Sequence, residues 1–132
     1  MTTPFKSEAE RGTVQTLCGV RVLVCSPDGP ILAAERDAND LISLAWEQDC
    51  ALIALPTMRL DPAFFRLSTG LAGAIIQKFV NCQLRLAILG DFSSSTAASS
   101  PLRDFVRESN RGAAVWFLAD LAELTARLET YS

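Results

Sequence analysis

Three short runs, A-L-I-A-L (Ala51–Leu55), L-R-L-A-I-L (Leu84–Leu89) and A-V-W-F-L (Ala114–Leu118), are apolar almost throughout. They are too short for helices and lack the polar alternation of a strand with one wet face, so each reads as a strand buried on both sides. Each follows a stretch of helical period. Between Arg36 and Gln48 the residues Ala38, Leu41, Ile42, Ala45 and Trp46 recur at helical spacing. Leu71, Ala72, Ile75, Ile76, Phe79 and Val80 form one broad apolar stripe. Ser100-Pro101 opens a third helix running to about Asn110, with Leu102, Phe105 and Val106 inward and Gly112 expected as its left-handed C-terminal residue. Strands alternating with helices leave few solutions. The fold class is α/β, with a mixed or mostly parallel central sheet.

The rest of the chain fits that frame. Residues 1–12 are polar without period and are expected to form a flexible arm, leaving 13–132 as a single domain. Thr13–Cys18 and Val20–Cys25 are strand-like and separated only by Gly19, either as a tight hairpin or as one strand preceded by an edge strand. Ser26-Pro27-Asp28-Gly29-Pro30 is dense turn chemistry. Leu60–Phe65 reads as a turn or a single helical turn, capped by Asp61 with Pro62 at its first position. Phe92 to Ser100 is rich in Ser and Ala and reads as a mobile loop, a place for a lid or a partner-recognition segment. Asp120 and Glu123 make a capping-box-like start to a last helix carrying Leu121, Leu124 and Leu128. The expectation is about five strands and about four helices.

Composition narrows the chemistry. A chain of 132 residues, 49% apolar and 20% charged, can bury a core without disulfides or metals. A net charge of −3 offers nucleic acid no clustered basic surface. No run of 18 apolar residues and no basic-then-apolar leader occurs, so a cytoplasmic protein without a membrane partner is expected. Cys18, Cys25, Cys50 and Cys82 stand apart, none in C-x-x-C, and read as small buried hydrophobes in a reducing compartment. The chain has no histidine. That removes Ser-His-Asp and Cys-His catalysis, His-ligated metals and the usual near-neutral base. No metal and no cofactor is expected. Any catalysis falls to carboxylates, Lys, Arg, Tyr131, a thiol or backbone dipoles.

Three constellations carry candidate chemistry. Ser68-Thr69-Gly70 precedes the second helix. It reads either as an N-cap, with Gly70 and Gly73 allowing close approach to the sheet, or as a site where the helix N-terminus receives a phosphate, a partner or a ligand. Glu35, Asp37 and Asp40 stand at the start of the first helix, as dipole complements or as candidates for a general base facing a cleft. Arg103, Arg107 and Arg111 repeat every four residues beside Asp104 and Glu108, either as a solvated, internally paired face or as an anion or partner contact that includes Asn110.

E-R-D-A-N-D-L-I-S-L-A-W-E (Glu35–Glu47), F-F-R-L-S-T-G-L-A-G-A-I-I-Q-K-F-V-N (Phe64–Asn81) and L-R-D-F-V-R-E-S-N-R-G (Leu102–Gly112) resemble a bacterial family, domain-of-unknown-function family 4180. The order of elements also resembles the STAS-type fold of anti-sigma-factor antagonists. In that fold a strand leads through a D-S-[ST]-G step into a helix, and the serine is the target of a partner kinase. Laid on this chain the step falls on Leu67-Ser68-Thr69-Gly70, so Ser68 matches the phosphorylated serine while Leu67 stands in the acid's place. Ser68 and Cys82 also stand where family 4180 commonly has a Lys or Arg and a Tyr. The resemblance implies a small STAS-like binding or regulatory module that contacts a protein partner, or itself as a homodimer, around the Ser68 helix start. The alternative is a cofactor-independent enzyme or small-molecule binder of isomerase or cyclase type. It would hold an apolar small molecule near Ser68 and Cys82 and move protons with a carboxylate.

Overall fold

The structure, a computed structural model, describes residues 12–131. Most of the expected N-terminal arm, residues 1–11, lies outside the described residues, and Gly12 already belongs to a strand. Strand β1 (Gly12–Leu17) pairs antiparallel with β2 (Val20–Cys25), from Gly12↔Cys25 to Leu17↔Val20. Cys18 and Gly19 join them with φ of 51° and 80°. Positive φ at both central residues is the condition for the two-residue hairpin turn whose twist matches the strands. The hairpin alternative therefore holds, and Cys18, expected in the strand, belongs to the turn.

From β2 onward the strands are parallel. β2 pairs with β3 (Leu52–Pro56), β3 with β4 (Arg85–Leu89), and β4 with β5 (Val115–Leu118), in the order β1-β2-β3-β4-β5. Each new strand is added on the same side, so right-handed crossovers carry the connecting helices to one face. Those helices are α1 (Asn39–Glu47), α2 (Leu71–Asn81), the short α3 (Ser93–Ala98) and α4 (Ser100–Arg111). The first core packs Leu41, Ile42, Ile75 and Phe79 of α1 and α2 against Leu23, Ile53, Ile88 and Phe117 of the sheet. The opposite face carries Val22, Leu52, Ala54, Ala87, Trp116 and Leu118, and α5 (Leu121–Tyr131) covers it with Leu124 and Leu128. The central strands are apolar on both faces because both faces are covered.

The helix ends differ from expectation in an instructive way. Gly112 follows α4 at φ −91°, not in the left-handed region. Side chains instead reach carbonyls at the end of α4 and just past it. Arg127 donates to Asn110 O, Trp116 Nε1 to Gly112 O (2.7 Å) and Arg85 Nε to Ala113 O (2.9 Å). Both guanidinium groups also lie over the Trp116 ring, at 4.6 Å for Arg85 and 4.8 Å for Arg127, so two cations serve the negative end of the helix. The left-handed exits fall on Asp49 (φ 56°) and Gln83 (φ 59°). There Cys50 N bonds to Ala45 O (2.8 Å) and Leu84 N to Phe79 O (2.9 Å), the six-to-one bond of a Schellman motif. The stretch 92–100, expected as a loop, holds the six-residue α3. The cap of α4 is Ser99, whose Oγ accepts from Leu102 N at 3.2 Å, one residue before the expected start.

Candidate functional site

In a parallel arrangement every helix that follows a strand begins at the sheet's C-terminal end. Topology therefore gathers Glu35, Asp37, Asp40, Ser68, Thr69, Gly70 and Gly73 at that end. Cys82 closes the far end of α2, and Asn110 sits in the last turn of α4, so both lie toward the opposite end. Eleven residues of helix, about 16 Å at 1.5 Å per residue, separate Ser68 from Cys82. A single-ring molecule beside one does not reach the other.

The Ser68 turn is built from its neighbours. Asp61 Oδ1 accepts from Ala63 N (2.9 Å), opening the 3-10 turn Pro62–Phe65 as expected of that cap. A second turn, Leu67–Thr69, closes through Thr69 N to Arg66 O (3.0 Å) and Gly70 N to Leu67 O (3.1 Å). Thr69 Oγ1 lies 2.8 Å from the carbonyl oxygens of both Ala63 and Arg66 and accepts from Leu71 N at 3.2 Å. Gly70 adopts φ 77°, a left-handed conformation that a side chain disfavours, and its carbonyl accepts the first α2 bond from Ala74 N (3.0 Å).

The two expected cap residues therefore divide: Thr69 is tied into the turn, while the Ser68 hydroxyl makes no hydrogen bond among the described residues and is exposed. Gly73 is exposed too, and a Cβ there would meet nothing within 4 Å. It does not mediate close approach to the sheet, and neither does Gly70, whose Cβ position is equally open. Leu67 is half-buried against the first core, so the position that STAS-type steps give to an acid here points toward apolar packing.

The other candidates are placed as follows. Asp37 Oδ2 accepts from Ala33 N (2.9 Å) and Ala34 N (3.0 Å), so its carboxylate is spent on the turn that precedes α1. Glu35 and Asp40 are exposed. Arg107 pairs with Asp104 at 3.6 Å and Arg111 with Glu108 at 3.2 Å, with all four side chains well exposed, which makes the stripe an internally paired surface of little energetic weight. Asn110 bridges to the β5 backbone: Oδ1 accepts from Phe117 N (2.7 Å) and Nδ2 donates to Phe117 O (3.2 Å). It is held by the sheet, not turned to solvent. Cys82 is half-buried against the first core.

Two features at the same end of the sheet escaped sequence reasoning. Arg59 is 3% exposed and donates from Nε to Pro30 O (2.7 Å) and from Nη1 to Ser26 O (2.8 Å), tying the Ser26–Pro30 turn to the end of β3. Gly29 leaves room for it, since a Cβ there would lie 2.5 Å from Arg59 Cζ. A lone Arg in a loop carries no periodic signal. The second feature is a row of rings running Phe64–Phe65 (5.2 Å), Phe65–Phe92 (6.0 Å), Phe92–Phe117 (5.4 Å) and Phe117–Phe105 (5.9 Å). Its members come from four separate segments, and only the fold brings them together.

Among the described residues no group of three His, Cys, Asp or Glu side chains is placed to hold a metal ion, and no helix is long and apolar enough to cross a membrane. The model of a family described as Domain of unknown function (DUF4180) matches residues 18–128. No curated protein and no solved structure matches the chain.

Proposed function

The chain belongs to domain-of-unknown-function family 4180, and from that premise we propose that it is a small STAS-like binding and regulatory module of the cytoplasm. It docks a protein partner, or a second copy of itself, through the surface from Arg66 to Gly73. The observation that carries this reading is the Ser68 turn. Arg66, Ser68, Thr69, Gly70 and Gly73 are exposed together at the start of an eleven-residue helix. The Ser68 hydroxyl is unengaged among the described residues, beside the positive end of the helix dipole. A phosphoryl group or a partner carboxylate would be favoured there, and the open Cβ positions at Gly70 and Gly73 leave room for a close approach.

The alternative, an isomerase- or cyclase-type enzyme with its pocket near Ser68 and Cys82, is the weaker reading. Its two lining residues lie at opposite ends of α2, and Asp37 is occupied by backbone donors.

A photo-crosslinking amino acid placed at Ser68, with an otherwise identical one at Asn81 as control, tests the proposal in the host cell. A discrete adduct from position 68 alone, lost in Arg66→Glu, is the expected outcome. Equal labelling from both positions, or no adduct at either, rejects the docking surface.

A further inference from the structure

The segment between β4 and α4 is attached to the molecule in an unusual way. Its two ends are pinned: Gly90 N donates to Leu118 O (3.0 Å), and Ser99 caps α4. Between them, the hydrogen bonds of residues 91–98 among the described residues close within the segment. Asp91 Oδ1 accepts from Ser93 N (2.9 Å) and Ser93 Oγ (2.6 Å), and Phe92 O accepts from Thr96 N (2.9 Å) and Thr96 Oγ1 (3.1 Å). None of the residues Ser93–Ala98 is buried. The inward tie is the Phe92 ring, which lies edge-to-face on Phe117 at 79° and tilted against Phe65 at 44°. A locally self-sufficient helix with no buried residue, tied inward by one ring and otherwise lying against its neighbour α4, has the contact pattern of a segment that opens without the rest of the domain unfolding.

We propose that α3 is a lid, and that the slot filled by Phe92 between Phe65 and Phe117 is a binding site for the aromatic ring of a small apolar molecule. The chain's own phenyl group shows what the slot accepts: one ring, nearly perpendicular to Phe117 and tilted against Phe65. When α3 swings out, Phe92 leaves, and a ligand ring takes over the same stacking contacts. The helix travels as a unit because its hydrogen bonds, the Asp91–Ser93 turn included, close within the segment. Phe92 and the ligand compete, so the apparent affinity of the closed protein is the intrinsic affinity multiplied by the open fraction. This site is independent of the docking surface proposed for Ser68, although Phe65 belongs to the turn that precedes it.

Hydrogen exchange by mass spectrometry and titration calorimetry, both with phenol as the probe and cyclohexanol as the ring-free-of-π control, test the proposal. In the unmodified protein, phenol is expected to speed exchange at amides 93–98 several-fold while amides of β4 are unchanged, and cyclohexanol to do less. Phe92→Ala is expected to speed the same amides without ligand and to bind phenol about tenfold more tightly, because the competing ring is gone. Phe92→Leu, which keeps an apolar contact without the ring, is expected to fall between them. Amides 93–98 that ignore phenol in the unmodified protein, or a folded Phe92→Leu that binds phenol no better, would overturn both lid and slot.

Discussion

The Asn110 carboxamide occupies the outer edge of β5 much as a peptide of a sixth strand would, giving Phe117 both a donor and an acceptor. An open sheet edge is a template for unwanted pairing, and a side chain that pairs with it removes the middle of the template. Asn110→Ala is therefore expected to cost about 2 kcal/mol by leaving two part-buried backbone groups unpaired. Asn110→Asp, which keeps the acceptor but sets a carboxylate oxygen against Phe117 O at the negative end of α4, is expected to cost at least as much, and urea unfolding checks both. Backbone conformation yields a second test. Gln83 sits at φ 59° and Gly112 at φ −91°, the reverse of where glycine helps. Gln83→Gly should raise stability by about 1 kcal/mol, whereas Gly112→Ala should stay within about 0.5 kcal/mol of the parent, as measured by urea midpoints. These two sites show why cap geometry is hard to read from a sequence. A glycine after a helix suggests a left-handed exit, but here Arg127, Trp116 and Arg85 reach Asn110 O, Gly112 O and Ala113 O from distant segments and fix the chain's exit from α4.

The helices are unequal in what they protect. α1, α2 and α4 share one face, so a substitution in any of them leaves neighbours to relax into the gap. α5 covers the other face among the described residues, and Leu124 is fully buried there against strands that include Trp116. Leu124→Ala is expected to cost about 3 kcal/mol, at the upper side of what an exposed-helix position would suggest, because the sheet beneath offers little room to collapse. Chemical unfolding followed by the fluorescence of Trp116, with Trp46→Phe removing the exposed second indole, checks the value and its site. At this scale much was legible. Four of the five helices and the three buried strands follow from period and turn chemistry alone, whereas the hairpin was one of two arrangements that the first two strands allowed. α3 was not legible, since its Ser- and Ala-rich sequence carries no apolar stripe. It forms behind the turn that Asp91 closes with Ser93, and Phe92 anchors it.

Across the whole molecule the buried thiols make stability depend on alkaline pH. Burial pushes Cys25 from an ordinary value of 9.0 up to about 12, partly offset by the nearby Arg59 guanidinium. Below pH 9 both folded and unfolded chains hold the proton and the contribution is complete. Between the two values the unfolded chain releases its proton first, so stability falls as pH rises, by about 1.4 kcal/mol at pH 10. Urea titrations at pH 8 and pH 10 should show this loss and show it reduced in Cys25→Ala. By itself the sequence determined the fold class, the order of the strands and of every helix but α3, and the family, because apolar period and turn residues are local properties written along the chain. The tertiary structure alone decided which candidates meet. It collected Glu35, Asp37, Asp40 and the Ser68 turn at the strand ends and sent Cys82 and Asn110 to the other end. It also built the row Phe64–Phe65–Phe92–Phe117–Phe105 from four segments. Those contacts depend on crossover direction and side-chain packing between residues far apart in the chain, which no local pattern encodes.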